Sequence, residues 1–298
     1  MIRLLIAAGV AMAVSLFGTR WLILLLTRHG IGQPIREEGP QGHVTKAGTP
    51  TMGGMAIVTG AFAGWLASDL RNGVFTRTGI FVMLAILGGG AVGLMDDWIK
   101  VVRARNLGLT KRAKMIGLLT VAIGFALLMT FHTHVHTELS FTRWDTAAVD
   151  LGRWLWVAWA VLLITGFANA VNLTDGLDGL ASGAALVAFA AFMFIAFWQF
   201  RHQDVYGVAH ALDLAVISAA MVGGCAGFLW WNAAPARIFM GDTGSLAIGV
   251  GLAALALATN THLLLFVIGG LFVIETLSVM LQVARFRLTG KRIFRMAP

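Results

Sequence analysis

Nine long apolar runs divide this chain, and they limit its fold more than any other feature of the sequence. Each run is long enough to cross a bilayer as a helix, which takes about 17 to 25 residues. Mean hydropathy is +0.82 and only 12% of the residues are charged, values outside the range of soluble domains. The predicted fold is therefore all-α, with one polytopic integral membrane domain over residues 1–298. The predicted spans are 3–27, 50–69, 78–95, 114–132, 154–171, 179–200, 209–230, 243–259 and 262–283.

Lys and Arg residues are divided unequally between the two alternating sets of loops. Six lie in one set, and fifteen lie in loops 28–49, 96–114, 169–178, 231–242 and 284–298. Because positive residues favour the cytoplasm, the richer set is predicted to be cytoplasmic and the N-terminus to lie outside. The net charge of +8 needs no nucleic-acid partner, since the basic residues flank apolar runs and suit a lipid bilayer surface.

Acidic residues recur at the cytoplasmic ends of several predicted spans. Asp96 and Asp97 follow the third span, and Asp242 precedes the eighth. Asp175 and Asp178 lie in the polar stretch 169–179, between the fifth and sixth spans. Charges beside hydrocarbon are costly and usually mark a functional cavity. Carboxylates gathered without matching buried bases favour a hard cation, and Mg²⁺ held by one or two carboxylates and by substrate phosphates fits the pattern.

Lysines accompany the acids on the same predicted face. Lys46 precedes the glycine-rich segment Gly48 to Gly54, and Lys111, Arg112 and Lys114 lie at the start of the fourth span. Metal, acids and lysines together are typical of phosphoryl transfer, because each kind of cation neutralises charge on the phosphates. The sequence therefore predicts phosphoryl-group chemistry at the cytoplasmic face.

Two other patterns have simpler explanations. Histidines alternate along residues 132–136 in the longest outer loop, on the face opposite the other polar clusters, so a solvated loop is favoured over a metal site. Gly88, Gly90 and Gly93 match a dinucleotide-binding spacing, but they lie in a membrane helix with no preceding strand. Close helix packing through small residues is the favoured explanation of these glycines.

Five segments of the chain carry a family resemblance over nearly its whole length. They are Lys46 to Gly54, Asp96-Asp97, Asn169 to Gly183, Pro235 to Gly249 and Ile274 to Gln282. In their length and order these segments resemble the phospho-N-acetylmuramoyl-pentapeptide transferase (MraY) family of bacterial peptidoglycan synthesis.

The resemblance implies a bacterial inner-membrane enzyme with a cytoplasmic active site. The implied reaction transfers phospho-MurNAc-pentapeptide from UDP-MurNAc-pentapeptide to undecaprenyl phosphate, gives lipid I and UMP, and needs Mg²⁺. Homodimers are familiar in the family. Family members continue into a histidine-rich cytoplasmic motif and a tenth helix, so the resemblance implies that a chain ending at Pro298 is C-terminally truncated.

The resemblance also implies roles for individual residues. Asp242 matches the principal metal ligand, while Asp96 and Asp97 match the reactive acids, with Asp97 near the metal. Other residues match the family's substrate-binding positions. They are Lys46 and Thr51 at the phosphates; Asn169, Asn172, Asp175, Gly176, Leu177, Asp178 and Phe239 around the uridine, with Phe239 stacked on the base; and Asn232 and Gln282 along the substrate cleft.

Alternative functions stay open from the sequence. A related transferase for another UDP-N-acetylhexosamine would show the same acids, although Leu288 to Phe294 and Thr49 to Gly54 favour the muramoyl enzyme. An anion transporter is disfavoured, because the acids lie at one face and not at the midplane. An inactive truncated form is the third alternative. Within the favoured reaction, an aspartate or the lipid phosphate attacks; we favour the lipid phosphate, because metal and lysines relieve the meeting of two anions.

Overall fold

The computed structural model describes residues 1–29, 48–72, 75–103, 108–143, 145, 149–291 and 293. Helices dominate this part of the chain, and a short antiparallel ribbon pairs Glu138 with Asp150. The helices are α1 (Ile2–Arg28), α2 (Gly54–Asn72), α3 (Arg77–Val102), α4 (Lys111–His132), α5 (Gly152–Thr174), α6 (Leu180–Arg201), α7 (Gln203–Tyr206), α8 (Ala211–Asn232), α9 (Gly241–Ala258), α10 (Leu265–Ile268) and α11 (Gly270–Thr289). The strands of the ribbon are β1 (Glu138–Leu139) and β2 (Val149–Asp150). The predicted helical fold is confirmed, with the ribbon as an addition.

Seven of the described helices are long and apolar enough to cross a membrane: α1, α3, α4, α5, α6, α8 and α9. The chain is therefore a polytopic membrane protein. The other two predicted spans take different forms. The apolar part of α2, Gly54–Leu70, is shorter than those seven helices. The run 262–283 is divided at Gly269 into α10 and α11, and α11 carries Glu275 and two arginines.

Helix α9 lies at the centre of the bundle, and its residues from Thr243 to Ala258 are all buried. It packs on α3 and α5, while α8 packs on α1, α2 and α6. A helix that is apolar on all sides suits such a central position. The consequence is that the first turn of α9 is surrounded by the ends of other helices.

Glycines allow two helices to approach the start of α9 at backbone distance. A Cβ atom built on Gly93 of α3 would lie 2.1 Å from the carbonyl oxygen of Asp242. A Cβ on Gly54, at the start of α2, would lie 2.1 Å from the nitrogen of Gly244. Small residues of this kind mediate close helix packing in membranes. They confirm the packing role predicted for Gly93 and place the end of α3 beside Asp242.

The opposite end of the bundle contains a separate buried ionic cluster. Arg3 Nη2 lies 2.5 Å from Asp69 Oδ1. Trp65 Nε1 donates a hydrogen bond of 3.2 Å to Asp213 Oδ1, and the hydroxyl of Thr76 donates to the other oxygen of Asp213. Charged groups within a membrane protein are expected to be paired in this way. The cluster joins α1, α2 and α8 to the start of α3.

Candidate active site

Three carboxylates predicted to be catalytic meet where α3 reaches the start of α9. Asp96, Asp97 and Asp242 each offer one oxygen, and these atoms lie within 4.8 Å of one another. Asp96 and Asp97 are 3% and 1% exposed. Both lie inside α3, because the helix continues to Val102 and does not end at the predicted residue 95.

Asp97 caps the first turn of α9. Its Oδ1 accepts a hydrogen bond from the backbone N–H of Asp242 at 3.1 Å. Its Oδ2 accepts from the N–H and the hydroxyl of Thr243 at 2.9 and 2.7 Å. A carboxylate at this position satisfies N–H groups that have no partner within the helix. Gly241 permits the contact, because it has a φ of +73° and a Cβ there would lie 2.6 Å from Asp97 Oδ2.

Two lysines neutralise part of the acidic cluster. Lys100 Nζ lies 2.6 Å from Asp96 Oδ2 and 2.9 Å from Asp242 Oδ2. Lys114 Nζ, from α4, lies 2.8 Å from the same oxygen of Asp242. The sequence prediction included Lys114 but missed Lys100. The signal was available, since Lys100 follows Asp96 by four residues, a spacing that makes two side chains neighbours on a helix.

Asn172 orients the Asp242 carboxylate from α5. Its Nδ2 donates to Asp242 Oδ1 at 2.6 Å and to Ser245 Oγ at 2.8 Å. Its Oδ1 lies 3.5 Å from Lys114 Nζ. The structure thus joins Asn172, predicted as a substrate ligand, directly to the acidic cluster. Ser245 was not predicted as a site residue, and nothing in its local pattern separates it from an ordinary small helix residue.

Asp175 follows the last turn of α5, outside the membrane-spanning helix. Burial raises the pKa of its carboxyl well above the usual range, and the negative charges of Asp242, Asp97 and Asp178 raise that pKa further. Burial disfavours the charged form of a carboxyl group, and neighbouring anions do the same. Asp175 is thus coupled electrostatically to the acidic cluster.

The residues after Asp175 form the surface turn between α5 and α6. Gly176 and Leu177 are exposed, whereas Asp178 is half-buried. Asp178 Oδ2 accepts a hydrogen bond of 3.1 Å from the backbone N–H of Ala236. The turn is therefore attached to the loop before α9, and its two exposed residues are open to a ligand.

Phe239 lies in the loop before α9, which pairs with the glycine-rich loop before α2. The backbone N–H of Phe239 donates to the Pro50 carbonyl at 2.8 Å, and its carbonyl accepts from the N–H of Gly53 at 2.9 Å. These bonds fix the backbone of Phe239, and its side chain is half-buried. Thr51 is half-buried in the paired loop, while Lys46 lies outside the described residues.

Asn232 is buried and has its carboxamide bound within the protein. Its Oδ1 accepts from the backbone N–H of Gly179 at 3.1 Å and from Ser182 Oγ at 2.9 Å. Its Nδ2 donates to the Ile238 carbonyl at 3.0 Å. These contacts join the start of α6 to the loop before α9. In this arrangement Asn232 supports the loop and does not present its amide to a cleft.

The two remaining predicted residues, Asn169 and Gln282, lie on α5 and α11. Asn169 lies three residues before Asn172 on α5, and its Nδ2 donates to the carbonyl of Thr165 at 2.7 Å. Gln282 is half-buried on α11, which packs against α5. Asn169 is therefore on α5, the helix that carries Asn172 to the cluster, and Gln282 is on a helix that packs against α5.

The donor set suits a hard divalent cation. Carboxylate oxygens are the ligands that Mg²⁺ prefers, and the three acids supply several of them in a small volume. Among the described residues, this is the one group of three or more His, Cys, Asp and Glu side chains close enough to share a metal ion. The histidines of residues 132–136 do not form such a group.

The model of glycosyl transferase family 4 matches residues 79–260, which include the acids and lysines gathered at one end of the bundle. Together with the apolar helices, this match makes the chain a membrane-embedded transferase of that class. Residues 46–58 also match signature 1 of the phospho-N-acetylmuramoyl-pentapeptide-transferases. The chain belongs to this phospho-N-acetylmuramoyl-pentapeptide-transferase family, as the motifs predicted.

Curated relatives of that name are similar to almost the whole chain. The chain is 49% identical to the enzyme of Frankia alni, over 99% of the chain and 86% of the relative. It is 49% identical to that of Thermobifida fusca, over 100% and 88%. It is 47% identical to that of Mycobacterium leprae, over 99% and 87%. The chain is accordingly a phospho-sugar transferase of the membrane.

Proposed function

We propose that this chain transfers phospho-MurNAc-pentapeptide from its UDP carrier to undecaprenyl phosphate, releasing UMP and forming lipid I. The family membership and the high coverage of the named relatives support the reaction. The observation that carries the residue-level proposal is the convergence of Asp96, Asp97 and Asp242 with two lysines at one end of the bundle. That end is the cytoplasmic face of the inner membrane in our proposal.

Asp96, Asp97 and Asp242 would hold a Mg²⁺ ion, with Asp242 as the principal ligand. When bound, such an ion neutralises phosphate oxygens and polarises the phosphorus toward attack. Asn172 keeps the Asp242 carboxylate in place through its 2.6 Å hydrogen bond. Asp97 acts more indirectly, because its oxygens also bind the start of α9.

The reaction itself joins two anions, which is its main difficulty. An oxygen of undecaprenyl phosphate attacks the phosphorus next to the sugar, a new P–O bond forms, and the P–O bond to UMP breaks. The leaving UMP takes the electron pair of that bond. Lys100 and Lys114 stabilise the charge that gathers on the phosphate oxygens, since fixed cations near developing charge lower the barrier.

The nucleotide lies, in our proposal, against the turn after α5 and the loop before α9. Phe239 offers an aromatic face for the uracil, and the turn residues Asp175 to Asp178 offer hydrogen-bond donors and acceptors. Thr51 and Lys46 bind the phosphates of the UDP donor. Asn232 contributes by supporting the loop of Phe239, and Gln282 lines the cleft beside α5.

The membrane arrangement completes the proposal. The N-terminus lies outside, and α2 and the α10–α11 segment provide the two crossings beyond the seven long apolar helices. A short apolar helix can cross a bilayer if the bilayer becomes thinner around it or if flanking polar side chains reach the interface. The homodimer expected from the resemblance stays a prediction.

The test is an assay of UMP release by the purified chain with undecaprenyl phosphate as acceptor. UDP-MurNAc-pentapeptide and UDP-N-acetylglucosamine are supplied in parallel. We expect divalent-cation-dependent UMP release from the first donor and little from the second. Preferred use of UDP-N-acetylglucosamine would favour the related transferase, and no release from either donor would favour an inactive form.

A further inference from the structure

The Lys100 ammonium lies where three carboxylates converge. Its Nζ is 2.6 Å from Asp96 Oδ2, 2.9 Å from Asp242 Oδ2 and 3.6 Å from Asp97 Oδ1. Lys114, by comparison, pairs with Asp242 only. Among the described residues, Lys100 is thus the cation paired with all three acids.

The carboxylate oxygens that face Lys100 are mostly those left over after other contacts. Asp96 Oδ1 accepts a hydrogen bond from the N–H of Leu109 at 2.7 Å, which leaves Oδ2 for Lys100. Asp242 Oδ1 accepts from Asn172, which leaves Oδ2 for the lysines. The remaining oxygens of Asp96 and Asp242 therefore face the same point, and the Lys100 ammonium group occupies that point.

From this geometry we infer that Lys100 acts as a resident cation that competes with the divalent metal ion for the same carboxylates. The inference rests on the proposed metal-dependent function. Mg²⁺ binds oxygens at about 2.0 to 2.1 Å, so an ion held by all three carboxylates would lie where the Lys100 ammonium group lies, and the two cannot occupy that point together. Lys100 can leave, because its side chain is 30% exposed and its four-carbon stem is flexible.

The competition gives Lys100 two effects of opposite sign. Without metal, the ammonium group offsets the repulsion among three neighbouring carboxylates and keeps them together. In the presence of metal, a molecule with Lys100 in place is unable to bind the ion. The apparent affinity for the ion is therefore the intrinsic affinity multiplied by the fraction of molecules in which Lys100 has left the carboxylates. Lys100 is a positioning residue in this role, distinct from its contact with phosphates in the reaction.

The test measures Mn²⁺ binding to the full chain in detergent by electron paramagnetic resonance, without nucleotide or lipid phosphate. The neutral variant Lys100→Met should bind Mn²⁺ at least about tenfold more tightly than the wild type, because the competing state is removed. Lys100→Arg keeps the positive charge and should bind no more tightly than the wild type. Lys291→Met is the matched control, since it removes one exposed positive charge after α11, and its affinity should change less than about twofold.

Each outcome bears on a different claim. Equal affinities for Lys100→Met and the wild type would overturn the competition while leaving the metal site in place. Tight binding by Lys100→Arg as well would also overturn it, because charge would then not be the competitor. Failure of both the wild type and Lys100→Met to bind Mn²⁺, with UMP release independent of divalent cations, would overturn the metal site itself. Thermal unfolding of each variant identifies any that fails to fold, and the neutral variant Lys100→Gln, for which the same tighter binding is expected, replaces Lys100→Met if that variant does not fold.

Discussion

At the residue scale, the acids of this site have unequal roles. Both carboxylate oxygens of Asp97 accept hydrogen bonds from the start of α9. Asp242 instead accepts a hydrogen bond from Asn172 and forms ion pairs with lysines. The sequence predicted the acids because charges beside apolar runs are unusual. It did not separate their roles, since hydrogen bonds between α3 and α9 depend on the tertiary packing. Lys100 was missed because the helix was predicted to end before it.

Replacing Asp97 with Asn tests its capping role. An amide has one acceptor oxygen in place of two, so at least one donor of α9 loses its partner, at a cost of about 1 to 3 kcal/mol. We expect a lower thermal midpoint together with a loss of UMP release of about 100-fold or more. Thr243→Val, which removes one of the three hydrogen bonds and keeps the carboxylate, should cause a smaller decrease in both. An unchanged midpoint for Asp97→Asn would contradict the capping role.

Replacing Phe239 with Ala tests base stacking. Loss of one base–aromatic contact costs about 1 to 3 kcal/mol, so the KM for the UDP donor should rise by about tenfold or more with kcat nearly unchanged. The backbone bonds of this residue to Pro50 and Gly53 remain possible in the variant. Phe239→Trp serves as the control, because it keeps an aromatic face. Steady-state kinetics at saturating lipid phosphate give both constants, and an unchanged KM for Phe239→Ala would remove the stacking role.

At the scale of elements, helix ends position the site. The sequence predicted the helices well in their interiors, where apolar runs are continuous. It placed the ends of α3 and α5 too early, because polar residues at a helix end look like a loop when the tertiary partners are unknown. For this reason the predicted spans left out Asp96 and Asn172. The structure places both in the final turns of their helices, where each contributes to the cluster.

The approach of α3 to α9 depends on Gly93. Gly93→Ala places a methyl group 2.1 Å from the Asp242 carbonyl, so the helices must separate and move Asp97 away from the turn that it caps. Overpacking of this kind costs about 1 to 3 kcal/mol, and we expect UMP release to fall by about 100-fold or more. Gly166→Ala on α5 is the matched control, because a Cβ there has no neighbour within 4 Å. Equal activity of both variants would show that the close approach does not position the acids.

At the scale of the whole molecule, the polytopic class could be predicted from composition and run length. The number of crossings is harder to predict, because the length of an apolar run does not show that the helix is short in α2 or interrupted at Gly269. The family could be predicted because its motifs are long and ordered. The ionic cluster of Arg3, Asp69 and Asp213, at the end of the bundle opposite the acids, was not predicted, since its members are far apart in sequence.

The predicted orientation can be tested with single cysteines. Cys225 is the one native cysteine and is buried, so background labelling should be low. Lys111→Cys and His134→Cys place thiols at exposed positions at opposite ends of α4. In intact spheroplasts, a membrane-impermeant maleimide should label the cysteine at 134 and reach the one at 111 only after lysis. The reverse pattern would contradict the cytoplasmic placement of the acids.

The central claim is that the carboxylate cluster at the start of α9 carries metal-dependent phosphoryl transfer, and Asp242 tests it most directly. UMP release from UDP-MurNAc-pentapeptide is measured for the wild type and for Asp242→Asn, with Mg²⁺ present and after chelation. The amide is similar in shape but removes the charge that a divalent ion requires. We expect Asp242→Asn and the chelated wild type to fall to background, with the thermal midpoint of the variant retained. Near-normal UMP release by Asp242→Asn would contradict the claim.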